Sequence, residues 1–277
     1  MRAAVLGSPV AHSLSPVLHG AAYAELGLAG WTFERIEVDA AGLPGLVRGL
    51  GPEWAGLAVT MPGKKAALAF ASDVTARAAA VGAANTLLRL ADGWRADCTD
   101  VAGVTGALTA AGYRWSGRPA LLLGAGGTAA AAVAGLAALG MRSVVVVVRD
   151  PVRAADVART AARVGVSVDV RPWSEVDLAA VAGSCELVVS TVPAAAVESC
   201  AAALAAAPCV LDVIYHPWPT TLSEAVAAAG GRLATGLDML LHQAFGQVEQ
   251  FTGKPAPKEV MRAALKSATA TRLPLPL

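Results

Sequence analysis

Along the first hundred residues, short apolar runs alternate with longer stretches whose apolar positions recur at helical spacing. This pattern predicts strands over 2–6, 32–38 and 57–60 and helices over 16–26, 41–50 and 64–72, an α/β layer. The helix at 16–26 carries its own punctuation: Ser15 as N-cap, Pro16 at the first helical position and Gly27 as a left-handed stop. Further on, apolar-rich runs over 86–90 and 94–98 flank Ala91-Asp92-Gly93, and Asp-Gly in that setting predicts an edge hairpin that closes this half.

A second series follows Asp100: a helix over 101–111, a strand over 120–123, a helix over 128–139 stopped by Gly140, and a strand over 143–148. Strands over 166–170, 186–190 and 209–214 come next, and continuous apolar runs of this kind suit a parallel sheet covered on both faces. The pattern predicts a Rossmann-type domain over 101–237. An amphipathic helix over 236–251 then arrives after that series has ended, so the chain is expected to return to the first domain, made of 1–100 plus 238–277. The segment 268–277, with Pro274 and Pro276, is given no role.

Composition removes several alternatives. The chain has 277 residues, 55% of them hydrophobic and 16% charged, values that exclude an intrinsically disordered chain. Much of the apolar content is alanine, and the strongest hydrophobic run, 144–148, is bounded by Arg142 and Arg149, far short of the roughly 20 residues of a membrane span. Lys plus Arg is 22 against 21 for Asp plus Glu, with no basic block, so no nucleic-acid partner is expected. The N-terminus reads as a strand, not an export signal, which points to the cytoplasm. Four cysteines form no C-x-x-C pair and four histidines fall at no ligand spacing, so neither a metal site nor a disulfide framework is expected.

Candidate chemistry lies at the ends of these elements. The strand at 120–123 runs into Gly124-Ala125-Gly126-Gly127-Thr128-Ala129, a G-x-G-x-x-A turn that opens a helix. Gly124 permits the tight turn, Gly126 admits a pyrophosphate to the backbone, and Ala129 lets helix and strand pack closely. Arg149 stands at the end of the next strand, followed by Asp150 and Arg153; the guanidinium groups suit the 2′-phosphate of NADP, while Asp150 would suit the ribose hydroxyl of NAD. NADP is the favoured cofactor.

In the first half, Ser13, Ser15, Thr60, Lys64, Asn85 and Asp100 all sit at element ends. Taken singly each has an ordinary explanation, with Ser15 and Asp100 as helix caps, Thr60 as a strand-end hydroxyl, Asn85 as a turn residue and Lys64 as a solvated lysine. Together, beside a nicotinamide site, they would bind a small hydroxylated acid, and a Lys/Asp pair would move the proton that accompanies hydride transfer to a ketone.

The ordered set 7–16, 59–64, 82–86, Thr99-Asp100, 124–129, Val148-Arg149 and 236–243 resembles the shikimate dehydrogenase family over nearly the full length of the chain. That resemblance implies two α/β domains and NADPH-linked, reversible reduction of 3-dehydroshikimate to shikimate, a step of aromatic amino-acid biosynthesis, by a monomer or homodimer. It implies Lys64 and Asp100 as the catalytic pair, with Ser13 and Ser15 on the substrate carboxylate and Thr60, Asn85, Tyr215 and Gln243 on the ring and its hydroxyls. It also implies that Gly124, Ala125, Gly126, Gly127, Thr128, Ala129, Arg149, Arg153 and Gly236 line the cofactor. Ala58, Gly63, Cys98 and Ala130 depart from residues frequent in the family. Ala130 leaves Arg149 and Arg153 as the groups for a 2′-phosphate. Relatives that act on quinate or aminoshikimate, or a silent binder of the same fold, are the alternatives.

Overall fold

The computed structural model describes residues 1–269, so the expectations for 270–277 lie outside the described residues. The chain divides into two units, Met1–Asp100 with the stretch from Leu240 onward, and Val101–Met239.

The first unit contains β1 (Arg2–Gly7), α1 (Ser15–Glu25), β2 (Thr32–Glu37), α2 (Leu43–Arg48), β3 (Trp54–Val59), α3 (Lys64–Phe70), β4 (Asp73–Val74), α4 (Ala76–Val81), β5 (Thr86–Leu90) and β6 (Gly93–Asp97). Its sheet runs β2-β1-β3-β5-β6-β4, with β5 antiparallel to both neighbours and the other pairings parallel. The central strand β3 is buried at every position, while the edge strand β2 alternates between half-buried and exposed. Leu6, Leu43, Val47, Leu57, Leu87 and Trp94 form the core on one face.

In the second unit, α5 (Asp100–Ala110) begins at the last residue of the first. There follow β7 (Ala120–Leu123), α6 (Gly127–Ala138), β8 (Ser143–Val148), α7 (Ala155–Val164), β9 (Ser167–Pro172), α8 (Leu178–Ser184), β10 (Leu187–Ser190), α9 (Ala201–Leu204), β11 (Cys209–Asp212), α10 (Thr221–Ala228) and β12 (Arg232–Thr235). The sheet is wholly parallel in the order β12-β11-β10-β7-β8-β9. That is the doubly wound Rossmann order, with its reversal between β7 and β10, where such folds bind ligands beyond the carboxyl ends of the strands. The last helices, α11 (Gly236–Thr252) and α12 (Lys258–Thr269), carry the chain into the first unit from Leu240.

The return of α11 depends on one small residue. A Cβ at Gly56 of β3 would lie 2.1 Å from the Phe251 ring, which packs with Ala3 and Ala55 on this face of the sheet. Gly56→Ala is therefore expected to destabilise the protein by about 1–3 kcal/mol through overpacking, read as a fall in Tm. A Gly56→Ala Tm equal to that of the wild type would show that the ring can withdraw without cost.

Some elements differ from the sequence reading. Ser15 is not the N-cap of α1: Leu14 holds that position and no side chain caps the helix. Ser15 is already helical, and its N–H is taken by Ser13 Oγ at 3.3 Å. Strands β4 and β12 and helix α4 were not foreseen, because two to six residues carry too little periodicity to stand out. Among the described residues, no helix is long and apolar enough to cross a membrane, and no group of three or more His, Cys, Asp or Glu could hold a metal ion.

Candidate active site

In the first unit the site grows from the end of β3. Parallel pairing of β1 with β3 continues one residue past the strand, through Thr60 N–H to the Leu6 carbonyl at 2.8 Å, which fixes where Thr60 emerges. Gly7 admits Thr60, since a Cβ there would meet the threonine methyl at 2.4 Å. A turn closed by Gly63 N–H to Thr60 O at 2.9 Å then starts α3 at Lys64. Gly63 is buried, and a Cβ would press on Leu43 and Val59, so packing explains this departure from the family pattern.

Lys64 Nζ donates to Asp100 Oδ2 at 2.6 Å, with side chains only 17% and 7% exposed. The other carboxylate oxygen, Oδ1, accepts from Asn85 Nδ2 at 3.0 Å. Asn85 Nδ2 also lies 3.1 Å from Gln243 Oε1 and 2.9 Å from Thr99 Oγ1. Gln243 is held in turn by donation from Nε2 to the Leu240 carbonyl at 2.9 Å. Burial by itself would lower the pKa of Lys64, but the adjoining Asp100 carboxylate outweighs burial and holds the ammonium above its ordinary value. Cys98, in the same strip of chain, is also shifted upward: burial and Asp100 raise its thiol to about 12, so it stays protonated.

Ser13 and Ser15 are buried and bonded to each other, Oγ to Oγ at 3.3 Å, rather than to the Lys64 cluster. Arg35 braces their loop by donating twice to the Ser13 carbonyl, at 2.9 and 2.7 Å. The sequence reading omitted Arg35, and it also omitted Thr86, Thr99 and Gln247 as site residues. The signal available for Gln247 was its place four residues after Gln243, which puts two amides on one face of the helix.

The second unit holds the glycine turn. Gly124 has φ +102°, and a Cβ there would lie 2.5 Å from Thr191 Oγ1, which itself donates to the Leu123 carbonyl at 2.7 Å. Glycine is thus required twice, by conformation and by space, at the switch point of the sheet. Gly126 differs: it is exposed, and a Cβ there would meet no protein atom within 4 Å. Packing does not require glycine at 126. The first-turn N–H groups of α6 have no acceptor within the helix, and an open glycine beside them would admit a ligand to them. Ala129 is fully buried beneath the turn.

One residue beyond β8, Arg149 is exposed, as is Arg153, and neither has an acidic partner among the described residues. Asp150 has a local task, accepting from Val152 N–H at 3.0 Å to cap the short 3-10 helix that carries Arg153. The glycine turn and the two free guanidinium groups therefore fit NADP, the former at the pyrophosphate and the latter at a 2′-phosphate. Tyr215 and Gly236 also lie in this unit, apart from the Lys64 cluster in the division of the chain. A Cβ at Gly236 would stand 2.1 Å from the Val213 carbonyl oxygen and 3.0 Å from Tyr215 Cδ1, so glycine here serves close packing of the start of α11 onto the loop that follows β11.

Comparison with known proteins bears on the whole chain. A family described as the shikimate dehydrogenase substrate binding domain matches residues 5–87, and one described as the shikimate 5′-dehydrogenase C-terminal domain matches 236–266. The NADP-dependent shikimate dehydrogenase of Methylobacterium radiotolerans is 41% identical over 270 residues, covering 93% of each chain. The crystal structure of Mycobacterium tuberculosis shikimate dehydrogenase superposes with a TM-score of 0.90 at 55% identity, covering 96% of this chain and 99% of that one. The Thermus thermophilus shikimate 5-dehydrogenase in complex with NADP(H) and shikimate gives a TM-score of 0.80 at 31% identity, over 97% of this chain and 99% of that one. Likeness of this extent, running through both units, means that the chain belongs to the shikimate dehydrogenase family.

Proposed function

We propose that the protein catalyses the NADP(H)-linked, reversible reduction of 3-dehydroshikimate to shikimate, acting in the cytoplasm. The observation that carries this reading is the largely buried Lys64–Asp100 pair, both of whose carboxylate oxygens are engaged and which is flanked by the amides of Asn85 and Gln243. When bound, the nicotinamide supplies or accepts the hydride. Lys64 is the group that gives the proton to the C3 oxygen during reduction and takes it back during oxidation, and its ammonium also stabilises the developing alkoxide. Asp100 keeps that lysine charged and in place, and offers an acceptor to the substrate hydroxyls. Asn85, Gln243, Thr60 and Tyr215 orient the ring, and Ser13 and Ser15 receive the carboxylate through their hydroxyls. Fixing these groups around a small rigid substrate contributes orientation as well as charge.

The first unit is the substrate-binding and catalytic domain in this reading, and the second is the dinucleotide-binding domain, with Gly124 to Ala129, Arg149, Arg153 and Gly236 on the cofactor. The direct test follows reduced-nicotinamide absorbance with shikimate or quinate and with NADP or NAD, each pair separately. Rapid reduction of NADP with shikimate supports the reading. Preference for quinate moves the protein to a sister activity, and binding without turnover makes it a silent relative.

Cofactor choice has its own test. Replacing Arg149 and Arg153 together by Gln is expected to raise the KM for NADP by roughly ten- to a hundredfold, the worth of lost charge-assisted bonds, with kcat on NAD unchanged. Equal loss on both cofactors would remove the 2′-phosphate assignment.

A further inference from the structure

His19 of α1 is the most deeply placed titratable group of the first unit, with no exposure, and it touches neither Lys64 nor Asp100. Its ring stacks on Phe33 at a centroid distance of 3.9 Å and lies near Phe251 at 5.7 Å, surroundings in which phenylalanine would serve packing better. Burial lowers its pKa to about 3, so the imidazole is neutral and carries one N–H.

Backbone groups, whose donor and acceptor roles are fixed, determine which nitrogen holds that proton. Thr99 N–H donates to Asn85 Oδ1 at 2.7 Å, so Asn85 Nδ2 must point to Asp100. The Asn85 carbonyl accepts from Gln247 Nε2 at 3.1 Å, so Gln247 Oε1 must point the other way, toward His19 Nε2 at 3.4 Å. An amide oxygen needs a donor, which makes His19 the Nε2–H tautomer and leaves Nδ1 to accept from the Tyr23 hydroxyl at 3.4 Å. Gln247 Nε2 also donates to Thr86 Oγ1 at 3.1 Å, and the Thr86 hydroxyl donates to Asn85 Oδ1 at 3.0 Å.

We infer that His19 is a positioning residue for the reaction, the buried donor that anchors a one-way chain of hydrogen bonds running Tyr23, His19, Gln247, Thr86, Asn85 and Asp100. Every donor in it faces the catalytic carboxylate, and each member is almost fully buried. Bonds aligned in one direction polarise one another, and a reversal at any member would set donor against donor. Phenylalanine at 19 would leave Gln247 Oε1 without its donor, so that Gln247 is held only through Nε2, which loosens Thr86 and, through it, the Asn85 amide that faces Asp100.

This inference rests on the proposed shikimate activity, and its test separates the two. In nitrogen-15 NMR of the intact protein, His19 is expected as the Nε2–H tautomer; the Nδ1–H form would overturn the chain. His19→Phe is expected to lower kcat/KM for shikimate about tenfold, mainly through KM, with the KM for NADP unchanged. His19→Gln, which restores an N–H donor, is expected to recover most of that loss, whereas a purely structural role would lower Tm and active fraction without moving the KM of the folded enzyme. Thr86→Val, nearly isosteric, breaks the chain at a different link and is expected to show the same signature if His19→Phe fails to fold. Wild-type kinetics in folded His19→Phe, or no recovery in His19→Gln at equal Tm, would overturn the inference alone. A wild-type protein without shikimate turnover would overturn the functional reading, and the inference with it.

Discussion

Lys64→Ala is expected to lower kcat for shikimate oxidation by about two to four orders of magnitude, the usual contribution of a positioned proton-transfer group. The expectation comes from location: Lys64 opens α3 immediately after the Thr60 turn, and its ammonium sits 2.6 Å from Asp100. Steady-state kinetics with Tm measured alongside separates the chemical loss from the cost of leaving Asp100 without its cation. Lys64→Arg divides the two tasks given to the lysine. A guanidinium keeps the charge but does not release its proton at accessible pH. Substantial activity in Lys64→Arg would therefore assign Lys64 to alkoxide stabilisation, and near-normal turnover in Lys64→Ala would defeat the catalytic assignment altogether.

Asp100→Asn carries the second large effect, and its sign follows from the forces on Lys64. With Asp100 ionised, the carboxylate outweighs desolvation and holds the lysine above its ordinary value. Without that charge, desolvation remains and the lysine pKa drops below the ordinary value, so it loses its proton at lower pH. The alkaline limb of kcat/KM for reduction of 3-dehydroshikimate is thus expected to move toward neutrality, with kcat down by about a hundredfold. The Asn85 amide would then face a neutral partner, which weakens its hold as well. An unmoved limb with a normal rate would show that the pair is structural.

Legibility from the sequence followed the range of the interaction involved. The glycine turn was readable because its requirements are local: the positive φ of Gly124, the open approach at Gly126 and the buried methyl of Ala129 all belong to one strand-turn-helix step. The α/β alternation and the hairpin at Asp92-Gly93 were readable for the same reason, since period and turn chemistry act over a few residues. Ser15 shows the limit at one position. Its type suits a cap, but the loop places Leu14 at the N-cap and Ser15 inside the helix, with the Ser13 hydroxyl on its N–H.

What the chain alone determined was its element types, its two-part organisation and the residue kinds at the strand ends. Tertiary structure decided which of those residues meet. Lys64 and Asp100 are 36 residues apart, Asn85 and Gln243 are 158 apart, and His19 and Gln247 are 228 apart. No local propensity encodes such pairings; they follow from the order of strands in the first sheet and from the packing of α11 over Gly56. Burial and neighbouring charge then give Lys64 and His19 their chemistry, because the same lysine and imidazole at the surface would keep ordinary pKa values and hold no fixed orientation.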